Sequence, residues 1–429
     1  VTALQRLDLK QAPDPPQGPA YLYAAGGYEQ NNSAGELSEV LPLLPHLTQL
    51  CLEWQINEEM KLALGALTLL KDLRLRQLQL PDHLQERYPP SAATAVVPDS
   101  RLNLPRGLTR LEVHMAQQFC SDYTPDLASL AALQHLQHST LLDAILLPSN
   151  AQLTHLQLCM KPDAFSTSNL SILLNGLAGN EQLRHLHLEF GDADKVQYSM
   201  IPLEAIRQCS AFTASSHLTS LQLSGVQLPS ACGKVLFPSG HVLPHLTILK
   251  LRGNAKRGWD VQYYDRVYGA DGVTQEAPIG SAGDIYSLIE CCPNLVELDL
   301  AGSVQPGVNL SALRHLQRLT SLVVGGQFFD DGCAAGLAEV TGLRKLVVID
   351  PSQDKEDKPA RRPYPYSNRQ GSEDSYAGCG EARVNVGGHF TFKGLHSLMQ
   401  LKGLSAISIS QSTCLFQGLR WSDICDFDE

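Results

Sequence analysis

Leucines recur along the chain in a short frame, Leu-x-x-Leu-x-Leu, with polar residues filling most of the spaces between them. The frame appears as LQRLDL from Leu4, LTQLCL from Leu47, LKDLRL from Leu70, LTRLEV from Leu108, LTHLQL from Leu153 and LRHLHL from Leu183. It continues as LTSLQL from Leu218, LTILKL from Leu246, LVELDL from Leu295, LTSLVV from Leu319, LRKLVV from Leu343 and LSAISI from Leu404, with a weaker copy, LQHLQH, from Leu133. Many copies lie about 20 to 30 residues apart, and the steps from Leu295 to Leu319 to Leu343 are both 24 residues. Successive side chains of a strand point to opposite faces, so the second and third leucines of a frame share one side and the residue between them takes the other. One such strand cannot bury its leucines alone, and neighbouring copies must stack to do so. Between frames the apolar spacing approaches a 3.6-residue period in EMKLALGALTLLKDL (59–73), DIYSLIECCPNLVEL (284–298) and GCAAGLAEVTGLRKL (332–346). Each unit is therefore predicted to be a helix, a turn and a strand.

This frame, repeated with helical segments between its copies, resembles the leucine-rich-repeat family, nearest its helix-backed ribonuclease-inhibitor-like and F-box-associated branches. The resemblance covers nearly the whole chain. It implies an α/β fold in one continuous domain, 1–429: a curved, horseshoe-shaped solenoid with parallel strands on the concave face and helices on the convex face. The chain departs from the family in its irregular repeat length and in the asparagine that usually follows the frame. Only LTILKLRGN supplies that residue in place, as Asn254, so ladders of buried asparagine are not expected.

Four insertions interrupt the period, at 10–35, 81–106, 253–283 and 350–391. Each follows a strand and is expected to leave the solenoid at one rim, where loops on a rigid scaffold concentrate binding residues. The third is the most suggestive. Trp259, Tyr263, Tyr264, Arg266 and Tyr268 crowd one short segment of a chain that is only 6% aromatic, and Trp, Tyr and Arg are the residues enriched in interface hot spots. The alternative is that the rings pin the loop to its own solenoid. Within the fourth insertion, 350–380 has the polar, charged composition of a disordered decoration.

Composition narrows the function classes. The net charge of −11 argues against a direct nucleic-acid or anionic-membrane binder, since both need basic surface. No apolar run approaches the roughly 20 residues that span a bilayer, and no secretory signal opens the chain at Val1. Eleven cysteines are scattered without a C-x-x-C pair, which favours a reducing, intracellular and cytoplasmic setting. Asn31, Asn169 and Asn309 lie in N-x-S/T sequons, but Asn169 and Asn309 are placed just before helical segments, where Asn serves as a cap.

No phosphate loop, zinc-protease or nucleophile-elbow motif is present, and the vicinal Cys291-Cys292 sits in a helical stretch where core packing explains it. No enzyme and no cofactor is expected. The outward column just before the second leucine runs Arg6, Gln49, Asp72, Arg110, His135, His155, His185, Ser220, Ile248, Glu297, Ser321, Lys345 and Ala406. If the weak copy at Leu133 is a true rung, His135, His155 and His185 stack on adjacent strands, and stacked imidazoles are candidates for a metal site or a pH response. The alternative is a wetted polar face that tolerates His. Later rungs expose Val323, Val347 and Ile349 instead, an apolar strip that a partner or the 350–391 insertion should cover. The expected function is a non-catalytic scaffold that binds one or more proteins, as a subunit of a larger assembly. The family resemblance also admits a substrate-recognition subunit of a ubiquitin ligase, although no F-box is visible in the chain. The histidine column admits a metal- or pH-sensing module.

Overall fold

The computed structural model describes residues 4–9, 39–52, 63–76, 104–114, 127, 130–142, 152–160, 167–190, 199–200, 203–228, 231–252, 282–301, 303, 310–325, 329–349, 390, 392–401 and 403–409. The chain forms two compact units, Val1–Gln227 with Lys234–Leu249, and Leu228–Gly233 with Lys250–Glu429. Among the described residues, thirteen strands carry the frames and follow one another in chain order. This is the expected leucine-rich-repeat solenoid architecture, with parallel strands and intervening helical segments.

In the first unit the frame strands are β1 (Arg6–Leu9), β2 (Gln49–Leu52), β3 (Asp72–Arg76), β4 (Arg110–His114), β5 (His135–Leu142), β6 (His155–Met160) and β7 (His185–Phe190). After β7 the chain adds β8 (Ser199–Met200), returns to the ladder as β9 (Ser220–Ser224), and pairs β10 (Val226–Gln227) with β8 in a separate two-stranded sheet. The frame from Leu246 forms β11 (Ile248–Arg252). The second unit holds β12 (Glu297–Asp299), β13 (Ser321–Gly325), β14 (Lys345–Ile349) and β15 (Ala406–Ile409).

One register runs through each unit. Arg6, Gln49, Asp72, Arg110, His135, His155, His185 and Ser220 are successive partners. So are Glu297, Ser321, Lys345 and Ala406. The hydrophobic pattern enforces this: a slip of one residue would turn every leucine of a strand to solvent. Leu186, Leu188, Leu221, Leu223, Leu298 and Leu300 are all buried, while His187 and Gln222 stand half-exposed on the other side. Asp299 departs from the expected alternation and is buried. Its strand ends there, and its Oδ1 turns back to accept the Ala301 N–H at 3.0 Å. His138 also departs: it fills the third-leucine position of the weak copy, buried in register with Val113 and Leu158, and a bulge follows it.

The helical segments are shorter and more mixed than the periodicity suggests. Among the described residues, α-helices occupy Thr167–Ala178, Ala231–Leu236, Ala282–Cys291, Asp331–Leu337 and Phe392–Met399, but Leu41–Leu43, Leu203–Thr213 and Leu310–His315 are 3-10 helices. The pattern over 284–298 runs past its helix because Pro293 cannot continue it, and the next strand starts at Glu297. Asn169 lies in the first turn of Thr167–Ala178 rather than before it. Asn31 and Asn309 are outside the described residues. Cys291 and Cys292 are buried, and burial pushes both thiols up. They pack in the core.

A hydroxyl ladder runs along the start of the frames. The residue after the first leucine of each frame is Thr in six frames, and each hydroxyl donates to the carbonyl one rung back. The bonds are Thr48 to Gln5 (3.0 Å), Thr109 to Lys71 (3.0 Å), Thr154 to Gln134 (3.1 Å), Thr219 to Arg184 (2.9 Å), Thr247 to Thr219 (3.2 Å) and Thr320 to Val296 (3.3 Å). Ser405 repeats the bond to Arg344 at 3.1 Å. Two backbone N–H groups share each acceptor; Thr247 and Ile248 both donate to the Thr219 carbonyl, for example. The bond is made only when adjacent strands are in native register, so the ladder reinforces what the leucines specify. Replacing Thr247 with Val should cost about 0.5–1.5 kcal/mol, the net worth of one hydrogen bond. A denaturant titration should show a lower midpoint and an unchanged slope.

Candidate interaction face

The face opposite the leucines presents two aligned columns of side chains, the residues just before and just after the second leucine of each frame. In β1, β3 and β4 these two positions carry opposite charges, and because i and i+2 share a face they pair within the strand. Arg6 Nη2 meets Asp8 Oδ2 at 2.8 Å, Arg74 Nη2 meets Asp72 Oδ2 at 3.0 Å, and Arg110 Nε meets Glu112 Oε1 at 2.9 Å. The β3 and β4 pairs also join across strands, with Arg74 Nε 3.6 Å from Glu112 Oε2 and Arg110 Nε 3.9 Å from Asp72 Oδ1.

Glu112 is the buried centre of this network, which alternation alone does not reveal. Its residue is 4% exposed. Burial pushes its carboxyl up, but Arg110, Arg74 and His135 together hold it below the usual carboxylate range. Arg74 is correspondingly raised, chiefly by its hydrogen bond to Asp72. The sequence signal for the network was present in the triplets RLD, DLR and RLE.

Beyond Glu112 the column becomes imidazole. His135, His155 and His185 stand on three adjacent strands as expected, with ring centroids 5.2 Å and 4.2 Å apart and interplanar angles of 34° and 22°. Among the described residues no group of three His, Cys, Asp or Glu side chains is placed to hold a metal ion. His135 Nε2 lies 3.6 Å from Glu112 Oε1 and is buried without a hydrogen bond. The second column beside the imidazoles runs Gln137, Gln157, His187 and Gln222, all half-exposed.

All three imidazoles resist protonation. Burial lowers His155 to about 4, helped by His185, His135, Arg110 and Arg184. Burial and Arg110 lower His135 against the opposing pull of Glu112, and burial and Arg184 lower His185. His155 Nδ1 lies 2.9 Å from Thr154 Oγ1, whose hydroxyl also reaches the Gln134 carbonyl at 3.1 Å.

In the second unit the face changes character. Lys250 Nζ meets Glu297 Oε1 at 3.0 Å, and Arg252 Nε lies 3.7 Å from the buried Asp299. Burial raises Asp299, partly offset by the Ala301 N–H and Arg252. Val323 and Val347 are register partners and Ile349 pairs with Gly325. The three apolar side chains stand half-exposed. Trp259, Tyr263, Tyr264, Arg266 and Tyr268 lie outside the described residues. So do most of the four insertions, including the part of 350–391 expected to cover the apolar strip.

No protein-family model matches the chain, and no curated protein does. Solved structures similar to it include a leucine-rich-repeat protein of Leptospira interrogans, 14% identical over 87% of this chain and 75% of that one, with a TM-score of 0.40. An internalin from Listeria monocytogenes is 15% identical, covering 87% of this chain and 89% of its own, with a TM-score of 0.38. A plant peptide hormone receptor, solved in complex with RGF2, is 14% identical over 73% of this chain and 41% of its own length, with a TM-score of 0.35. Likenesses at such identities concern the fold alone. Among the described residues no helix is long and apolar enough to cross a membrane.

Proposed function

We propose that this chain is a non-catalytic protein-interaction module, serving as a fixed subunit of a larger assembly, with the sheet face opposite the leucines and the aromatic insertion at 259–268 as its contacts. The observation that carries the reading is the aligned face itself. In the first unit the ladder holds outward columns in constant register, with charged and polar residues from Arg6 to Ser220, and in the second unit Val323 and Val347 are apolar register partners. Such a surface suits recognition of another macromolecule, with Val323, Val347 and Ile349 as an apolar anchor and the polar columns as specificity. Trp259, Tyr263, Tyr264, Arg266 and Tyr268 add large side chains of the hot-spot type.

Cross-linking with mass spectrometry on native extract should return one stoichiometric set of protein neighbours, with links from Lys250 and Lys345 on the face. Ligase adaptor proteins in that set would favour the substrate-receptor reading over the fixed subunit. Replacing Trp259 and Tyr264 with Ala should weaken partner binding by at least about 2 kcal/mol, roughly thirtyfold in Kd, with an unchanged melting temperature. Unchanged binding with a lowered melt would restrict the rings to fastening their loop.

A further inference from the structure

We infer that the His135–His155–His185 stack, with Arg184 beside it, is an acid-triggered site for a carboxylate-rich peptide segment of a protein partner. The inference rests on the reading of this face as an interaction surface and names the chemistry of its occupant.

The argument begins with counter-ions. Arg6, Arg74 and Arg110 each have an acid of the same strand within salt-bridge distance. His135 has Glu112 at 3.6 Å, and that carboxylate raises its proton affinity. Among the described residues, His155 and His185 have no such neighbour. Among the described residues, the charged groups acting on His155 are His185, His135, Arg110 and Arg184, all cationic or cationic once protonated, and the one acting on His185 is Arg184. Arg184 is exposed, and no acid among the described residues pairs with it. The remaining groups do not alter this. Asp72 and Arg74 on β3 pair with each other, Glu189 stands four residues beyond His185 along β7, roughly 13 Å away, His187 lies in the second column, and β9 contributes only Ser220 and Gln222.

At neutral pH the stack is uncharged, and the face of the first unit is close to balanced. Acid changes this. A proton taken up by His155 makes both ring nitrogens donors, one of them 2.9 Å from Thr154 Oγ1, and no carboxylate among the described residues answers the new charge. A carboxylate set against the stack supplies the missing counter-ion, as Glu112 does for His135. Binding then takes up protons, because the carboxylate stabilises the charged imidazoles. A peptide fits better than an isolated carboxylate, since the rungs repeat every 4.8 Å or so and adjacent acidic side chains can address His155 and His185 together. The overall charge of −11 opposes such a ligand only weakly, because charges more than about 8 Å away are largely screened at physiological salt.

The test uses the full chain and an N-acetylated, C-amidated octaglutamate peptide, with a Gly-Ser octapeptide and inorganic phosphate as controls, by calorimetry at pH 7.5 and 5.5. Octaglutamate affinity should rise at least tenfold on acidification; linkage allows up to about tenfold per pH unit for each proton taken up. Calorimetry at pH 6 in two buffers of different ionisation enthalpy should show net proton uptake. His155→Gln with His185→Gln should remove the pH dependence, and Arg184→Gln should weaken binding at both pH values. Melting curves keep the comparison fair. Burial of neutral His155 stabilises the fold fully above about pH 6.5, and this contribution falls away as pH drops toward its folded value of about 4, so each variant is compared with wild type at the same pH. Equal affinity at both pH values, or a pH response that survives in the double variant, overturns the inference. So does phosphate binding as tightly as the peptide, which would make this a small-anion site. If octaglutamate fails while Gln157→Arg with Gln222→Arg still abolishes capture of the native partner at pH 7.4, the acid-triggered site falls and the interaction face stands. If that variant also leaves capture intact, this part of the face falls with it.

Discussion

Replacing Leu298 with alanine is expected to destabilise the protein by about 2–5 kcal/mol, the range for truncating a buried leucine when its surroundings relax only partly. Leu298 is fully buried on β12, and its register partner on β13 is Leu322, also fully buried. The rung above continues with Leu346. Truncation thus leaves a void inside a column of leucines rather than at its edge. Because each repeat leans on its neighbours, the loss should spread to β13 and β14 and appear as reduced amide protection there. Denaturant unfolding with hydrogen exchange measures both effects. A loss well under 1 kcal/mol would mean that the leucines are not the core.

The second large effect is expected at Gly225, between β9 and β10. Its φ is +74°, a conformation that costs an ordinary side chain about 1–3 kcal/mol. A Cβ there would also lie 2.0 Å from the Phe190 carbonyl oxygen, and that carbonyl is main chain at the end of β7. The glycine lets the chain cross directly over β7 on its way from the ladder to the two-stranded β8–β10 sheet. Gly225→Ala should therefore cost more than about 3 kcal/mol, strain and clash combined, and lower the melting temperature accordingly. Gly240 offers the control. It also has positive φ, at 83°, but nothing lies within 4 Å of its added Cβ. Gly240→Ala should cost only the backbone term.

The leucine frame determined strand positions, their order and their register before any coordinates, because period-two alternation leaves one arrangement in which every leucine is inside. The column from Arg6 to Ser220 was legible for that reason, including the rung at Leu133 where His138 replaces a leucine. The Thr of the LTxL frames was equally visible in sequence, but its meaning was not: a hydroxyl reaching one rung back requires knowing which carbonyl lies beneath it. The same holds for the paired charges. Alternation places Asp72, Arg74, Arg110 and Glu112 on one face, yet only packing decides that Glu112 sinks beneath two guanidiniums and an imidazole. Asp299 is the counterexample that shows the limit. Periodicity assigns it to solvent, but its strand ends there and its carboxylate turns inward to satisfy the Ala301 N–H, because an unpaired buried donor costs more than a broken alternation. Local pattern is a property of neighbours in the chain, and it specifies which way a side chain leaves the backbone. Burial and proton affinity depend on neighbours in space, and these the folded ladder alone supplied.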